Sequence, residues 1–172
     1  MQEQVLAVFR RLVGEEHPAT LTSMNNLART LFAQGDLTKA RGLQEQVLAV
    51  FRRLLGEEHP TTLTSMSNLA STLWQQGDLA GARALEEKVL AVRRCLLGEE
   101  HPAILTSMSN LAITLWHCDE RGEAIDLMTR TVEASTAKLG GEHPTTRRRM
   151  DTLAQMRATL AASPHAPEST TP

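Results

Sequence analysis

The sequence predicts an all-α fold built from antiparallel helix pairs, and three observations support this prediction. The motif EEHP or GEHP recurs with its histidine at residues 17, 59, 101 and 143, a spacing of about 42 residues. Apolar residues within each copy recur at three- and four-residue intervals, which is the period of an amphipathic helix. The composition is 41% hydrophobic but only 3% aromatic, so the core must consist of Leu, Ala, Val and Met, which favour helices over sheets.

Each repeat is interpreted as two helices, and the second copy shows the signals that delimit them. Pro60 fits the first turn of a helix, where its missing N–H needs no partner, and the preceding His59 is the expected N-cap. Gly77 and Asp78 end this first helix, because glycine supplies a left-handed C-cap and aspartate can cap the next helix. The second helix is expected to stop at Gly98.

The same pattern, applied along the chain, predicts about eight helices. The expected segments are an orphan second helix at 1–14, repeats at 15–56, 57–98 and 99–140, a C-terminal partial repeat at 141–161 and a flexible tail at 162–172. Asp119 replaces the glycine of the two earlier inter-helix turns, so we expect a distorted turn there. Arg157 stands where the earlier repeats have leucine, as expected of a terminal helix with a solvated outer face.

Charge and hydropathy exclude several classes of function. A net charge of -2 argues against nucleic-acid binding, which needs a marked basic excess. No apolar run is long enough for a membrane span, and the amino end lacks the basic-then-apolar order of a signal peptide. We therefore expect a cytoplasmic protein with no membrane partner. Cys95 and Cys118 are expected to be too far apart for a disulfide or a shared metal.

The residues of the repeat resemble a known family. The order NLA-x-T-L, then Gly-Asp, then a small residue such as Ala82, then a helix running to V-L-A resembles the tetratricopeptide repeat (TPR). The long period, with His-Pro at each repeat start, is similar to the repeats of kinesin light chains and many bacterial TPR proteins. The resemblance covers residues 1 to about 160. It implies a right-handed α-solenoid, the TPR superhelix, that binds an extended peptide or a partner helix in a concave groove and needs no cofactor.

One helix face varies between copies while the framework stays the same, and this face is the candidate groove. A face that varies in this way is what partner selection would produce, although ordinary drift of solvent-facing residues gives the same pattern. Its members in the three repeats are Asn25, Arg29 and Phe32; Ser67, Ser71 and Trp74; and Ser109, Ile113 and Trp116.

Two residue types recur at fixed positions on the first helices. Asn26, Asn68 and Asn110 match, by the resemblance, the position from which related domains hydrogen-bond a peptide backbone. The amide of asparagine suits this role because it carries both a donor and an acceptor. The alternative interpretation is that each asparagine braces the adjacent helix. The large aromatics at 32, 74 and 116 either supply a binding surface or pack between repeats.

The run Arg147–Arg149 lies early in the last helix. By the resemblance, Arg148 falls where clamp-type TPR domains hold a terminal carboxylate with a basic residue. The matching residues Thr22, Thr64 and Thr106 are not basic. We therefore expect a plain solvated charge run.

No catalytic or metal site is predicted. The Glu-His pairs such as Glu58-His59 recur once per repeat at a helix start, so we interpret them as caps. The preferred function is a non-enzymatic protein-interaction scaffold with a protein or peptide partner. One alternative is self-association into a homo-oligomer through the apolar N-terminal helix, which carries Val5, Leu6, Phe9 and Leu12. A second alternative, which the resemblance allows, is the sensor arm of a larger bacterial signalling protein.

Overall fold

The fold is all-α, as the repeat pattern predicts. The computed structural model describes residues 2–98 and 101–162, and this part of the chain contains eight helices and no strand. The predicted tail at 162–172 lies outside the described residues except for Ala162, the last residue of the final helix. The helices are α1 (Gln2–Val13), α2 (Pro18–Ala33), α3 (Leu37–Leu55), α4 (Pro60–Gln75), α5 (Leu79–Leu97), α6 (Pro102–His117), α7 (Arg121–Leu139) and α8 (Pro144–Ala162).

We call the first helix of each repeat (α2, α4, α6 and α8) a first-type helix and the second helix (α1, α3, α5 and α7) a second-type helix. A histidine caps the start of each first-type helix, which confirms the prediction made for His59. The Nδ1 atom of His59 accepts a hydrogen bond from the backbone N–H of Thr61 at 3.2 Å. The same bond is present at His17, His101 and His143. Each cap satisfies one of the backbone donors left without a partner at a helix start.

The turns within the three helix pairs have one geometry, so the predicted distortion at Asp119 is wrong. Gly35, Gly77 and Asp119 have φ angles of 81°, 83° and 66°. The Asp119 N–H donates to the carbonyl of Trp116, just as the Gly77 N–H donates to that of Trp74. Aspartate is among the few non-glycine residues that tolerate this left-handed conformation. The replacement therefore preserves the turn.

The described residues form two compact units, unit 1 up to Leu96 and unit 2 from Leu97 onward. Unit 1 contains two apolar cores, and neighbouring residues of α3 contribute to different ones. Val47 belongs to the core that includes Met24 and Leu27 of α2. Leu48 belongs to the core that includes Met66 and Leu69 of α4. Successive helix positions differ by about 100°, so one second-type helix packs against two first-type helices.

The first helix, α1, has only one of these two partners among the described residues. Leu6, the counterpart of Leu48, is 4% exposed and lies in the core with α2. Val5, the counterpart of Val47, is 43% exposed, whereas Val47 is 0% exposed. The outer face of α1 thus presents apolar residues that the equivalent helix buries.

Unit 2 contains α6, α7 and α8, with α7 packed against both neighbours. Its buried residues include Met108 and Leu115 of α6, Met128 of α7 and Leu153 of α8. Arg157 of α8 is exposed, and its guanidinium donates to the Thr129 hydroxyl at 3.0 Å. The prediction of a solvated face at this position is confirmed.

Candidate functional site

Six of the predicted groove residues line one cavity in unit 1. The cavity has a volume of about 320 Å³ and lies between α2 and α4, with one residue contributed by α3. It opens to solvent on the face that the repeat comparison singled out. The residues that line it are Asn25, Asn26, Arg29, Phe32, Gln44, Asn68 and Ser71.

The two asparagines of the ladder in unit 1 are exposed on this cavity. Asn26 comes from α2 and Asn68 from α4, and both are solvent-exposed. The hydrogen bonds they accept within the described residues involve their backbone carbonyls, from the hydroxyls of Thr30 and Thr72. Their side-chain amides are therefore available to a ligand, and the described contacts give no support to a bracing role.

The remaining polar groups of the cavity differ in their availability. Arg29 is exposed, and it forms no ion pair with any described residue. The Ser71 hydroxyl donates to the carbonyl of Ser67 at 3.1 Å, one turn earlier on the same helix. This hydroxyl can still accept a hydrogen bond, whereas Arg29 brings an uncompensated positive charge.

The aromatic residues combine packing with partial exposure. Phe32 is half-buried, packs against the first core and also lines the cavity. Trp74 packs against the second core and does not line this cavity. In unit 2 the Arg121 guanidinium lies over the Trp116 ring, 5.5 Å from its centre, at a distance typical of a cation–π contact. These contacts show that packing is at least part of the role of this position.

Gln44 is the one residue of the cavity that sequence reasoning missed. It lies on the second helix of its repeat, whereas the predicted groove residues lie on the first helices. Its side chain is 7% exposed. Its Oε1 atom is buried without a hydrogen-bond partner among the described residues. A signal was present, because the equivalent residues, Glu86 and Met128, differ from it in chemistry.

The other predicted site residues lie elsewhere in their units. Ser67 and Trp74 are on α4 outside the cavity, and Arg148 is exposed on α8. The four predicted residues of α6, which are all half-buried in unit 2, are Ser109, Asn110, Ile113 and Trp116.

The arginine run on α8 is not uniformly solvated, which corrects the sequence prediction. Arg147 and Arg148 are exposed, but Arg149 is only 6% exposed. Its guanidinium donates to the Ser135 hydroxyl of α7 at 2.5 Å and to the Thr106 hydroxyl of α6 at 3.5 Å. Burial lowers the pKa of Arg149 from its ordinary value. The reason is positional, because Arg149 stands where Ser23, Ser65 and Ser107 are buried in the other repeats.

A wider cleft of about 750 Å³ lies on another side of unit 1, between α1 and α3. Three of the charged residues that line it, Arg10, Glu15 and Lys39, already have partners. Arg10 pairs with Glu15 at 3.4 Å, and Lys39 pairs with Asp36 at 2.8 Å. The cleft contains none of the predicted groove residues, so the smaller cavity is the better candidate.

Comparison with known proteins identifies the repeat. A tetratricopeptide repeat model matches residues 1–51 and 24–95, and a second tetratricopeptide repeat model matches residues 104–145. No curated protein sequence matches the chain significantly. No helix of the described residues is long and apolar enough to cross a membrane.

Several solved structures share the fold. A Podosopora anserina protein, described as a kinesin light chain with nearly identical TPR-like repeats, is 28% identical. It matches with a TM-score of 0.73, over 94% of this chain and 86% of that chain. BtubC from P. vanneervenii is 16% identical, with a TM-score of 0.68 over 99% of this chain and 76% of its own. The N-terminal domain of STI-1 from C. elegans is also 16% identical, with a TM-score of 0.54 over 78% of this chain and 94% of its own.

The sequence prediction of the family is confirmed by both kinds of comparison. The matched models cover most of the chain, and the first of these structural relatives is described as a kinesin light chain. The fold of this family is a non-enzymatic repeat scaffold whose members generally bind proteins. The chain belongs to the tetratricopeptide repeat family and is of the kinesin-light-chain-like type.

Proposed function

We propose that this protein is a non-enzymatic adaptor that binds an extended peptide or a partner helix on its first-type helices. The observation that carries the proposal is the cavity of unit 1, where six residues predicted from the repeat comparison meet. Its asparagine amides and Arg29 are exposed. Exposed side chains that hydrogen-bond only to water can exchange that water for a ligand.

The chemistry of the cavity favours a peptide over a small metabolite. Asn26 and Asn68 each offer a donor and an acceptor, so they can pair with successive peptide groups whatever the side chains. Phe32 supplies apolar contact area, and Arg29 supplies a two-pronged partner for a carboxylate. The cavity is only partly enclosed, so an extended chain can enter and leave it on the solvent side.

The equivalent positions of unit 2 belong to the same proposal. Ser109, Asn110, Ile113 and Trp116 on α6, together with Arg148 on α8, present partly or fully exposed side chains. We propose that they form a binding surface of the same kind on unit 2. The protein then acts without catalysis or a cofactor, and the cytoplasm is the expected compartment. The same surface would serve the interaction arm of a larger signalling protein.

A paired selection from a random peptide library tests this function. One arm uses the wild-type chain, and the other uses the triple variant Asn26→Ala, Asn68→Ala and Asn110→Ala. We expect peptides enriched by the wild type alone, because the variant loses the amide ladder. A control with Gln34→Ala and Gln75→Ala removes two exposed amides outside the cavity and should enrich the same peptides as the wild type. Equal enrichment by the wild type and the triple variant contradicts the proposal.

Self-association through α1 is a second candidate function. The specific observation is the outer face of α1, where Val5, Val8 and Leu12 are 43%, 45% and 68% exposed. The occupant we propose is the α1 helix of a second copy, because one apolar face can pair with its own twin around a two-fold axis. Static light scattering over a range of protein concentrations tests this candidate, and a monomer at every concentration excludes it.

A further inference from the structure

One position on the second helix of each repeat is buried in all three repeats and changes its chemistry from one repeat to the next. We call it the floor position, and it comprises Gln44 on α3, Glu86 on α5 and Met128 on α7. These residues are 7%, 8% and 0% exposed. The preceding residue is leucine in all three repeats, so the backbone framework is the same while the floor residue changes from amide to carboxylate to thioether.

One observation in each unit places the floor position beside the groove. In unit 1, Gln44 lines the cavity together with Asn25 of α2. In unit 2, the hydroxyl of Ser109, which is the counterpart of Asn25, lies 4.0 Å from the sulfur of Met128. The floor residue therefore stands beside the same variable groove position in both units. A change in its chemistry alters what the groove presents to a ligand.

Gln44 is the floor residue that combines an unsatisfied buried oxygen with a place in the lining of the cavity. Its Oε1 atom is buried and accepts no hydrogen bond from the described residues. An unsatisfied buried acceptor is costly, whereas an apolar residue of similar shape would avoid this cost. The third repeat has such a residue, Met128, at this position. An acceptor at residue 44 is consistent with a donor that arrives from outside, through the cavity that Gln44 lines.

We propose that Gln44 is a specificity-determining residue that accepts a hydrogen bond from an amide N–H of the ligand. This inference rests on the proposed peptide-binding function and adds the floor position to the groove. The amide N–H comes either from the peptide backbone or from an asparagine or glutamine side chain. Methionine at this position would instead favour an apolar ligand group.

The test compares the wild type with two variants that the chain itself suggests. Gln44→Met introduces the floor residue of the third repeat, and Gln44→Glu introduces that of the second and retains an acceptor oxygen. Both residues already occupy this position on equivalent helices, so both variants are expected to fold. Circular dichroism melting verifies this, and Gln44→Met should melt no lower than the wild type because it removes an unsatisfied buried acceptor.

Binding of peptides selected on the wild type provides the main readout. We expect Gln44→Met to bind them about tenfold more weakly, as the loss of one buried hydrogen bond implies, and Gln44→Glu to lose less. A required asparagine or glutamine in the selected peptides identifies a side-chain donor. If a single N-methylated peptide bond abolishes the difference between wild type and Gln44→Met, the donor is the backbone.

The outcomes separate this inference from the function on which it rests. If Gln44→Met binds the peptides as well as the wild type, while Asn26→Ala with Asn68→Ala does not, the floor inference is overturned and the function stands. If the wild type enriches no peptide at all, both are overturned.

Discussion

Residue 119 shows how a single backbone conformation can be kept by an unexpected side chain. Asp119 has a φ of 66° and is the only non-glycine residue with a positive φ among those described. Its carboxylate lies 2.9 Å from the Arg121 guanidinium, but the Asp119 side chain is 81% exposed, so this ion pair stabilises the turn little. The Cβ atom of Asp119 gives the left-handed conformation a steric cost that glycine would avoid, and the weak ion pair offsets little of it.

We expect Asp119→Gly to stabilise the protein by about 1 kcal/mol, since the left-handed conformation costs an L-residue roughly that amount. The measurement is the free energy of unfolding in urea, followed by circular dichroism. Gly77→Asp is the matched control, because Gly77 has the same role in the preceding turn with a φ of 83°. The two substitutions should have opposite signs. Destabilisation by Asp119→Gly would indicate that the aspartate side chain contributes more than the turn conformation.

At the scale of the helices, the sequence predicted the caps of the helix pairs but not the buried contacts of Arg149. The His-Pro signal correctly predicted where α4 begins, because proline favours the first turn and the histidine ring accepts a backbone hydrogen bond. The burial of Arg149 was not predicted, although the repeat spacing aligns residue 149 with Ser23, Ser65 and Ser107. That this position is buried depends on how α8 packs against α7, where the Arg149 guanidinium donates to the Ser135 hydroxyl.

The histidine caps yield a prediction about helix starts. His59→Ala removes the Nδ1 acceptor for the Thr61 N–H and should lower the free energy of unfolding by about 1 kcal/mol, as loss of an N-cap usually does. His59→Asn retains a side-chain acceptor at the cap and should remain close to the wild type. Urea titration of the three proteins measures the difference. Equal loss in both variants would assign the histidine a role other than capping.

The core of unit 1 yields a second prediction at this scale. Leu69 is 6% exposed in the core between α3 and α4, so Leu69→Ala should lower the free energy of unfolding by about 2–5 kcal/mol. Each repeat contacts mainly its neighbours, so the thermal transition should also broaden. Leu54→Ala, at a leucine that is 51% exposed, should change little. A sharp and unshifted transition for Leu69→Ala would contradict the stacked-repeat interpretation.

For the whole molecule, the repeat made the fold predictable, while the detail of the site was only partly so. Recurrence of the motif four times set the phase of every helix pair. Asn26 and Asn68, from the constant asparagine position, line one cavity together with Asn25 of the variable face. The spacing along one helix cannot show which second-helix residue reaches that cavity. Nor does composition reveal that the oxygen of Gln44 lacks a donor, since that depends on how three helices pack.

The N-terminal helix gives the last prediction, which concerns the state of the whole chain in solution. The valines of α3 that correspond to Val5 and Val8 pack against the core. Val5 and Val8 themselves are more than 40% exposed. If a second copy covers them, Val5→Glu combined with Val8→Glu should shift the chain towards the monomer in light scattering. Its melting temperature at high dilution should stay that of the wild type, because neither residue is buried in the monomer. Leu54→Glu, at an exposed leucine of α3, serves as the control and should leave the association unchanged. If the double variant dimerises as well as the wild type, the contact lies on another surface.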